Sequence, residues 1–481
     1  MNLQMFDLTY DRSQITPGIL HFGVGNFHRA HQAYYTNKLL AAEPDQKQWG
    51  ICGAMILERD EKVFKGLKKQ KCCYGLTVFG RTGNVEYHKI GSIVDVLWGI
   101  GNPAAIINKI ADPNIRIITL TITEGGYNLD KKTNEFDFTN NDIIYDLQFP
   151  ERPRTVFGYI AAGLRKRAEN KVGPITILSC DNLLHNGNVC RKSVLAFIEK
   201  ADKQLYGWVK DNVSFPNCMV DRITPATSAE DIHRLREISG QEDSVPVYCE
   251  DFVQWVIEDK FLAGRPAWER VGVEFTDDVT KYEAMKLGFV NSTHLMLSVP
   301  GFLAGYRLVD EALSNTTIET YLKQYMDLDV TPYLTPPPNT DFEIYKTTFI
   351  ERMKNKNVSD QVARLCFDFA NKFPVFSKPI FKAILEADAD TRRIAFVTAS
   401  YRLYLRRGID DKGVPYEVND PGLSDRDQDL IKSDNPLDFL NLSCFADVDL
   451  SLSKQFVDWY LKWYKRIEEK GILNTMEELL V

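Results

Sequence analysis

A chain of 481 residues is long for a single core, so two domains of ordinary size are expected. Its 44% hydrophobic and 26% charged residues, with no low-complexity tract, exclude a disordered or fibrous protein. A net charge of −8 without a basic block excludes nucleic acid as the main partner, and no apolar window approaches the ~18 residues of a membrane span.

The opening, Met-Asn-Leu-Gln-Met-Phe-Asp-Leu, has no cationic stretch ahead of an apolar core, so no secretory leader is expected. The nine cysteines are scattered and none forms a Cys-x-x-Cys pair, which argues against a disulfide frame or a cysteine-rich zinc site. The expectation is a reduced, cytoplasmic protein.

Residues 18–40 give a short apolar strand, then Gly23-Val-Gly25-Asn26-Phe27-His28-Arg29, then a long amphipathic helix. This is the start of a dinucleotide-binding unit. Gly23 would make the tight turn, and Gly25 would let the backbone approach a pyrophosphate at the helix N-terminus. The third glycine of the usual fingerprint is replaced by His28. Asn26, Phe27 and Arg29 complete the candidate cofactor turn. His28 and His31 share a helical face, but no nearby carboxylate or cysteine completes a ligand set, so no metal is expected. The next strand, Trp49 to Leu57, ends in Glu58-Arg59-Asp60. An acid there can bind the adenosine ribose hydroxyls and disfavour a 2′-phosphate. Asp60 is the first choice and Glu58 the alternative, while Arg59 softens the preference for NAD by attracting phosphate.

Two further β-branched strands follow. Ile115–Ile122 runs into Thr123-Glu124-Gly-Gly-Tyr127, and Pro174–Leu178 into Ser179-Cys-Asp181-Asn182 and His-Asn186-Gly187. Helical patterns at 102–111 and 155–169 separate them, and ligands collect at the carboxyl ends of such strands. Glu124 and Asn182 are therefore expected beside the same crevice as Gly23 and Gly25, with a structural cap as the alternative role for Asn182. Val220-Asp221-Arg222-Ile-Thr-Pro225 is another strand that turns at a proline. Beyond about residue 284, helical periods dominate: 284–298, 302–327, 341–354, 359–371, 378–388, 391–407, 435–446 and 452–470.

At this junction stands Lys286-Leu-Gly-Phe-Val-Asn291-Ser-Thr-His294. Read as an α-helix, Asn291 and His294 share a face, and Lys286 lies within about 140° of both. A lysine buried in such a wall loses hydration, so its pKa falls towards neutrality and it becomes a usable general base. The amide and imidazole could hold the same oxygen.

Taken in order, these stretches resemble the polyol-specific long-chain dehydrogenases/reductases. The shared runs are Gly-Val-Gly-Asn-Phe-His-Arg-Ala-His-Gln, Thr-Ile-Thr-Glu-Gly-Gly-Tyr, Ser-Cys-Asp-Asn-Leu, Val-Asp-Arg-Ile-Thr-Pro, Gly-Arg-Pro-Ala-Trp-Glu and Lys-x4-Asn-x2-His. The resemblance implies an α/β Rossmann-type N-terminal domain over 1–283 and a mainly α-helical substrate-binding domain over 284–481, with the active site in the cleft between them. It implies metal-free hydride transfer between NAD and a polyol carbon, in a monomer. D-Mannitol and D-fructose lead; D-arabinitol, sorbitol or a uronate remain alternatives, as does a catalytically silent NAD(H)-binding sensor. By the same resemblance Lys286 is the general base, and Asn182 and Asn291 hold the reacting oxygen with His294. Asp221, Arg364 and Lys372 contact the sugar chain, and Glu124 and Glu283 carry the proton away. One departure stands out: Cys366-Phe367-Asp368-Phe369-Ala370 places two aromatics where the family has small or polar residues, which would narrow or dry the pocket.

Overall fold

The computed structural model describes residues 2–130 and 133–481. The chain divides into two compact units, Met1–Val279 and Thr280–Val481. The division falls before the anticipated 283/284 boundary because a helix, Thr280–Lys286, begins there. Glu283 and Lys286 therefore ride on one helix at the start of the second unit.

The first unit is built on six strands: β1 (Pro17–Phe22), β2 (Gly50–Met55), β3 (Ile93–Trp98), β4 (Ile117–Leu120), β5 (Ile175–Ser179) and β6 (Val213–Ser214). All pairs are parallel, and the spatial order is β3-β2-β1-β4-β5-β6. That is the doubly wound dinucleotide-binding order, which reverses direction between β1 and β4 and opens a crevice at their carboxyl ends. Every residue of β2, β4 and β5 is buried, as expected of a sheet covered on both faces. The helices Pro103–Ile110 and Val156–Glu169 match the expected 102–111 and 155–169.

The sequence reading missed β3 and, apart from the strand at Val220-Asp221, two smaller sheets. Asn2–Phe6, Asn84–Ile90, Tyr74–Phe79 and Val247–Glu250 form one of them, and Cys218–Asp221, Gln254–Glu258 and Glu274–Thr276 the other. The expected long helix after Gly25 is broken at His31 into Asn26–Ala30 and Gln32–Ala42. At the break, the His31 ring is held by the Gln254 carbonyl at 2.9 Å and stacks on Phe27.

The second unit is helical, with four departures from the expected periods, one of them the 435–446 run, which forms two 3-10 turns, Pro436–Asn441 and Ser443–Phe445. The 284–298 run contains a π-helical turn, Leu287–Ser292, between Thr280–Lys286 and Thr293–Leu303. The 302–327 run divides into Val309–Leu313, Thr316–Gln324 and a second π-helical turn, Tyr325–Val330. The 359–371 run breaks at Asp368, a left-handed residue with φ of 58°, into Val362–Cys366 and Phe369–Phe376. All nine cysteines are free thiols. Among the described residues, no helix is long and apolar enough to cross a membrane.

Candidate active site

The turn after β1 has the geometry a dinucleotide needs. Gly23 adopts φ of 91°, and a Cβ there would lie 2.0 Å from the Thr121 carbonyl oxygen, so only glycine lets β1 and the end of β4 meet. At Gly25 a Cβ would find nothing nearer than 3.9 Å, which leaves the backbone open to approach. The residues present thus fit a pyrophosphate at the switch point of the sheet.

Arg29 does something other than contact phosphate. It is 2% exposed, and its guanidinium donates to the carbonyls of Gly25 and Val245 and, at 2.7 Å, to Asn26 Oδ1. A cation spent on internal carbonyls holds the glycine turn in shape. Asn26 is similarly engaged, its amide donating to the Pro225 carbonyl and the Thr227 hydroxyl, each at 3.0 Å. Phe27 packs against the core of the first unit. His28 is buried against His21, their ring centroids 3.4 Å apart, and burial holds both imidazoles neutral. Among the described residues, no group of three or more His, Cys, Asp or Glu could hold a metal ion.

Asp60 closes a 3-10 turn, Glu58–Asp60, that follows β2. Partial burial raises its carboxyl pKa despite the neighbouring Arg59 cation, whereas Glu58 and Arg59 are exposed. Asp60 is thus the more sheltered of the two acids.

The loops after β4 and β5 are tied together by a residue to which the sequence reading gave no role. The Asp181 carboxylate accepts from the Ile122 and Thr123 amides at 3.1 and 2.8 Å and from the Tyr127 hydroxyl at 2.6 Å. Thr123 is held there at φ of 65°, and exposed Glu124 follows it. Asn182, also exposed, is the next residue after Asp181. Asn186 fixes the other side, donating to the Asp181 and Cys218 carbonyls. The helix that follows starts at Asn186 with His185 as its cap. Asp221 ends the strand Cys218–Asp221 and is buried. The only advance signal of Asp181 was an acid between two motif residues.

Burial pushes the Asp181 carboxyl up to about 6, against the pull of those three hydrogen bonds. An acid whose folded pKa exceeds the unfolded value favours the native state below the unfolded pKa and loses that contribution as pH rises through about 6. Asp181→Asn cannot titrate. The melting temperature of the variant relative to the native protein is therefore expected to be higher at pH 7.5 than at pH 4.5. The span is on the order of 2–3 kcal/mol. Parallel pH profiles for the two proteins would contradict this.

In the second unit, Lys286 and Glu283 are buried on one helical face, 8% and 4% exposed. The π-helical turn corrects the α-helical projection used for the sequence. Its i→i+5 bonding draws positions five apart towards one face, so Lys286 and Asn291 align more closely than the ~140° of an α-helix. Asn291 Oδ1 is buried with no hydrogen-bond partner among the described residues. A half-turn of the amide would present an N–H instead, so this group offers either role to a ligand hydroxyl. His294 packs edge-on against Phe349.

Arg364 is exposed but committed, in a bidentate pair with Asp360 at 2.6 and 2.7 Å. Burial works to raise the Asp360 pKa, yet the Arg364 guanidinium and the nearby His294 hold it below its ordinary value. Asp360, unforeseen from the sequence, thus brings His294 and Arg364 into one electrostatic group. Lys372 donates to the Arg364 carbonyl at 2.9 Å, and burial together with the Arg364 charge lowers its pKa. Phe369 is core, stacked on Tyr401 at 4.1 Å, so it neither narrows nor dries a pocket. Phe367 is exposed, with the Lys372 ammonium 5.9 Å from its ring centroid.

Comparison with known proteins accounts for both units. The family model of the mannitol dehydrogenase Rossmann domain matches residues 17–270, and that of the mannitol dehydrogenase C-terminal domain matches 278–468. A polyol:NADP oxidoreductase of Gluconobacter oxydans is 41% identical over 96% of this chain and 95% of its own. The structure of Pseudomonas fluorescens mannitol 2-dehydrogenase in ternary complex with NAD and D-mannitol matches with a TM-score of 0.87 at 42% identity, covering 99% of this chain and 97% of that one. A substrate-free D-sorbitol dehydrogenase matches with a TM-score of 0.91 at 40% identity and the same coverage. The chain belongs to the mannitol dehydrogenase family.

Proposed function

We propose that the protein is an NAD-dependent polyol dehydrogenase that oxidises a secondary alcohol of a sugar alcohol, with D-mannitol and D-fructose as the leading pair. The observation that carries the reading is a π-helical turn that starts after buried Lys286 and carries Asn291, whose carbonyl oxygen is buried with no partner among the described residues. NAD, held at Gly23, Gly25 and Asp60, supplies the hydride acceptor. Lys286 takes the hydroxyl proton as general base. Asn291 donates to the developing alkoxide, and His294 orients it. One good donor of this kind is worth ~3 kcal/mol. Glu283, one turn before Lys286, passes the proton on. The Asp360–Arg364–Lys372 group binds the sugar chain. No metal takes part, because the buried amine does the work of the base.

The paired state of Arg364 favours an uncharged polyol over a uronate, which would need a spare cation. The test follows NADH formation over mannitol, sorbitol, arabinitol and a uronate. The reading expects turnover of one or more polyols and none of the uronate; turnover of the uronate alone would move the specificity elsewhere. Replacing Asp60 by alanine leaves Arg59 unopposed, so kcat/KM with NADP should rise relative to NAD by about tenfold or more. An unchanged ratio would reassign the ribose contact to Glu58.

A further inference from the structure

The π-helical turn Leu287–Ser292 does not stand alone. Ser292 lies between the two polar signature residues Asn291 and His294, and is completely buried. Its hydroxyl is 2.6 Å from the Tyr325 hydroxyl and 2.8 Å from the Ser377 hydroxyl. Tyr325 opens the second π-helical turn, Tyr325–Val330. The two turns touch again at Gly288, where a Cβ would sit 2.8 Å from Val330 Cγ1. A third link runs through buried Lys346, which pairs with Asp327 of the second turn and lies 6.0 Å from the Phe289 ring of the first. A π-turn gives up α-helical hydrogen bonding and persists where its surroundings over-determine it.

We infer that Ser292 and Tyr325 are positioning residues: their buried hydroxyl chain, closed by Ser377, holds the signature turn in its π register and so sets Lys286 and Asn291 on one face. The inference rests on the proposed role of Lys286. Loss of the chain lets the turn relax towards α-helical spacing, swinging Asn291 away from Lys286 while the cofactor turn, in the other unit, is untouched. A misplacement of about 1 Å costs up to ~10²-fold in rate.

The experiment measures kcat, KM for polyol and for NAD, and the primary deuterium isotope effect for Ser292→Ala, Tyr325→Phe, their double variant and Ser292→Thr, beside Lys286→Ala. The expected result is a fall in kcat of about tenfold in each single variant, an unchanged KM for NAD, and a larger isotope effect as hydride transfer becomes limiting. The double variant should be no worse than the worse single, because both break one chain. Ser292→Thr, which keeps the hydroxyl, should recover most of the rate. If Ser292→Ala does not fold, Tyr325→Phe carries the same readouts with the ring retained. Native kcat and isotope effect in Tyr325→Phe, or strictly additive losses, would overturn the inference. Full activity in Lys286→Ala would instead overturn the base assignment. An inactive Lys286→Ala beside a normal Ser292→Ala would remove the positioning role alone.

Discussion

Lys286→Ala is expected to lower kcat/KM for polyol oxidation by about 10²–10⁴-fold, the range a well-placed general base supplies. The reasoning starts from burial. Lys286 is 8% exposed, on the helix that leads into the signature turn. Thermal melts of the variant separate any loss of folding from the loss of the base. NADH affinity, which depends on the first unit, should be unchanged. A loss confined to kcat, with KM for NAD preserved, is the signature of an interaction made in the transition state.

Gly23→Ala is expected to damage the fold and the cofactor site together, whereas Gly25→Ala should damage only the second. At Gly23 an alanine must adopt a left-handed conformation, costing ~1–2 kcal/mol, and drive its Cβ to within 2.0 Å of the Thr121 carbonyl oxygen. Shifting a packed strand end to make room costs ~1–3 kcal/mol more. Gly25 has an ordinary φ of −83° and open space around its Cβ position, so alanine is tolerated by the protein but occupies the room a pyrophosphate needs. Fluorescence titration with NADH alongside thermal melts separates the two. The account expects at least tenfold weaker binding in both and a lower melting temperature only for Gly23→Ala. Native NADH affinity in Gly25→Ala would place the cofactor elsewhere.

What the sequence revealed of this architecture, and what it hid, follows from the range over which each signal acts. β1, β2, β4 and β5 were legible because covered parallel strands are unbroken apolar runs ending in glycine or polar residues. β3 was hidden because Asp95 interrupts its apolar run; that side chain points out to pair with Lys68 at 2.7 Å. The break at His31 and the left-handed Asp368 were hidden because each depends on partners far along the chain, Gln254 for the first and, through the Asp368 amide, the Asn419 carbonyl for the second. Periodicity assumes 3.6 residues per turn, so it cannot see the π-helical turn that reorients Lys286 against Asn291. Composition likewise cannot distinguish a cation open to solvent from one buried on carbonyls, as Arg29 is. Asp181 and Asp360 escaped notice because their role is to hold other site residues, and only three-dimensional partners disclose that.

The most direct test of the central claim adds small primary amines to Lys286→Ala during NAD reduction. If Lys286 is the base, the lost rate should return in part, in proportion to the free-base concentration of each amine and more strongly for the more basic ones. Full activity of the variant without any amine would contradict the assignment. So would a variant that binds NADH and polyol normally, is inactive, and stays inactive with every amine small enough to enter the space the side chain leaves.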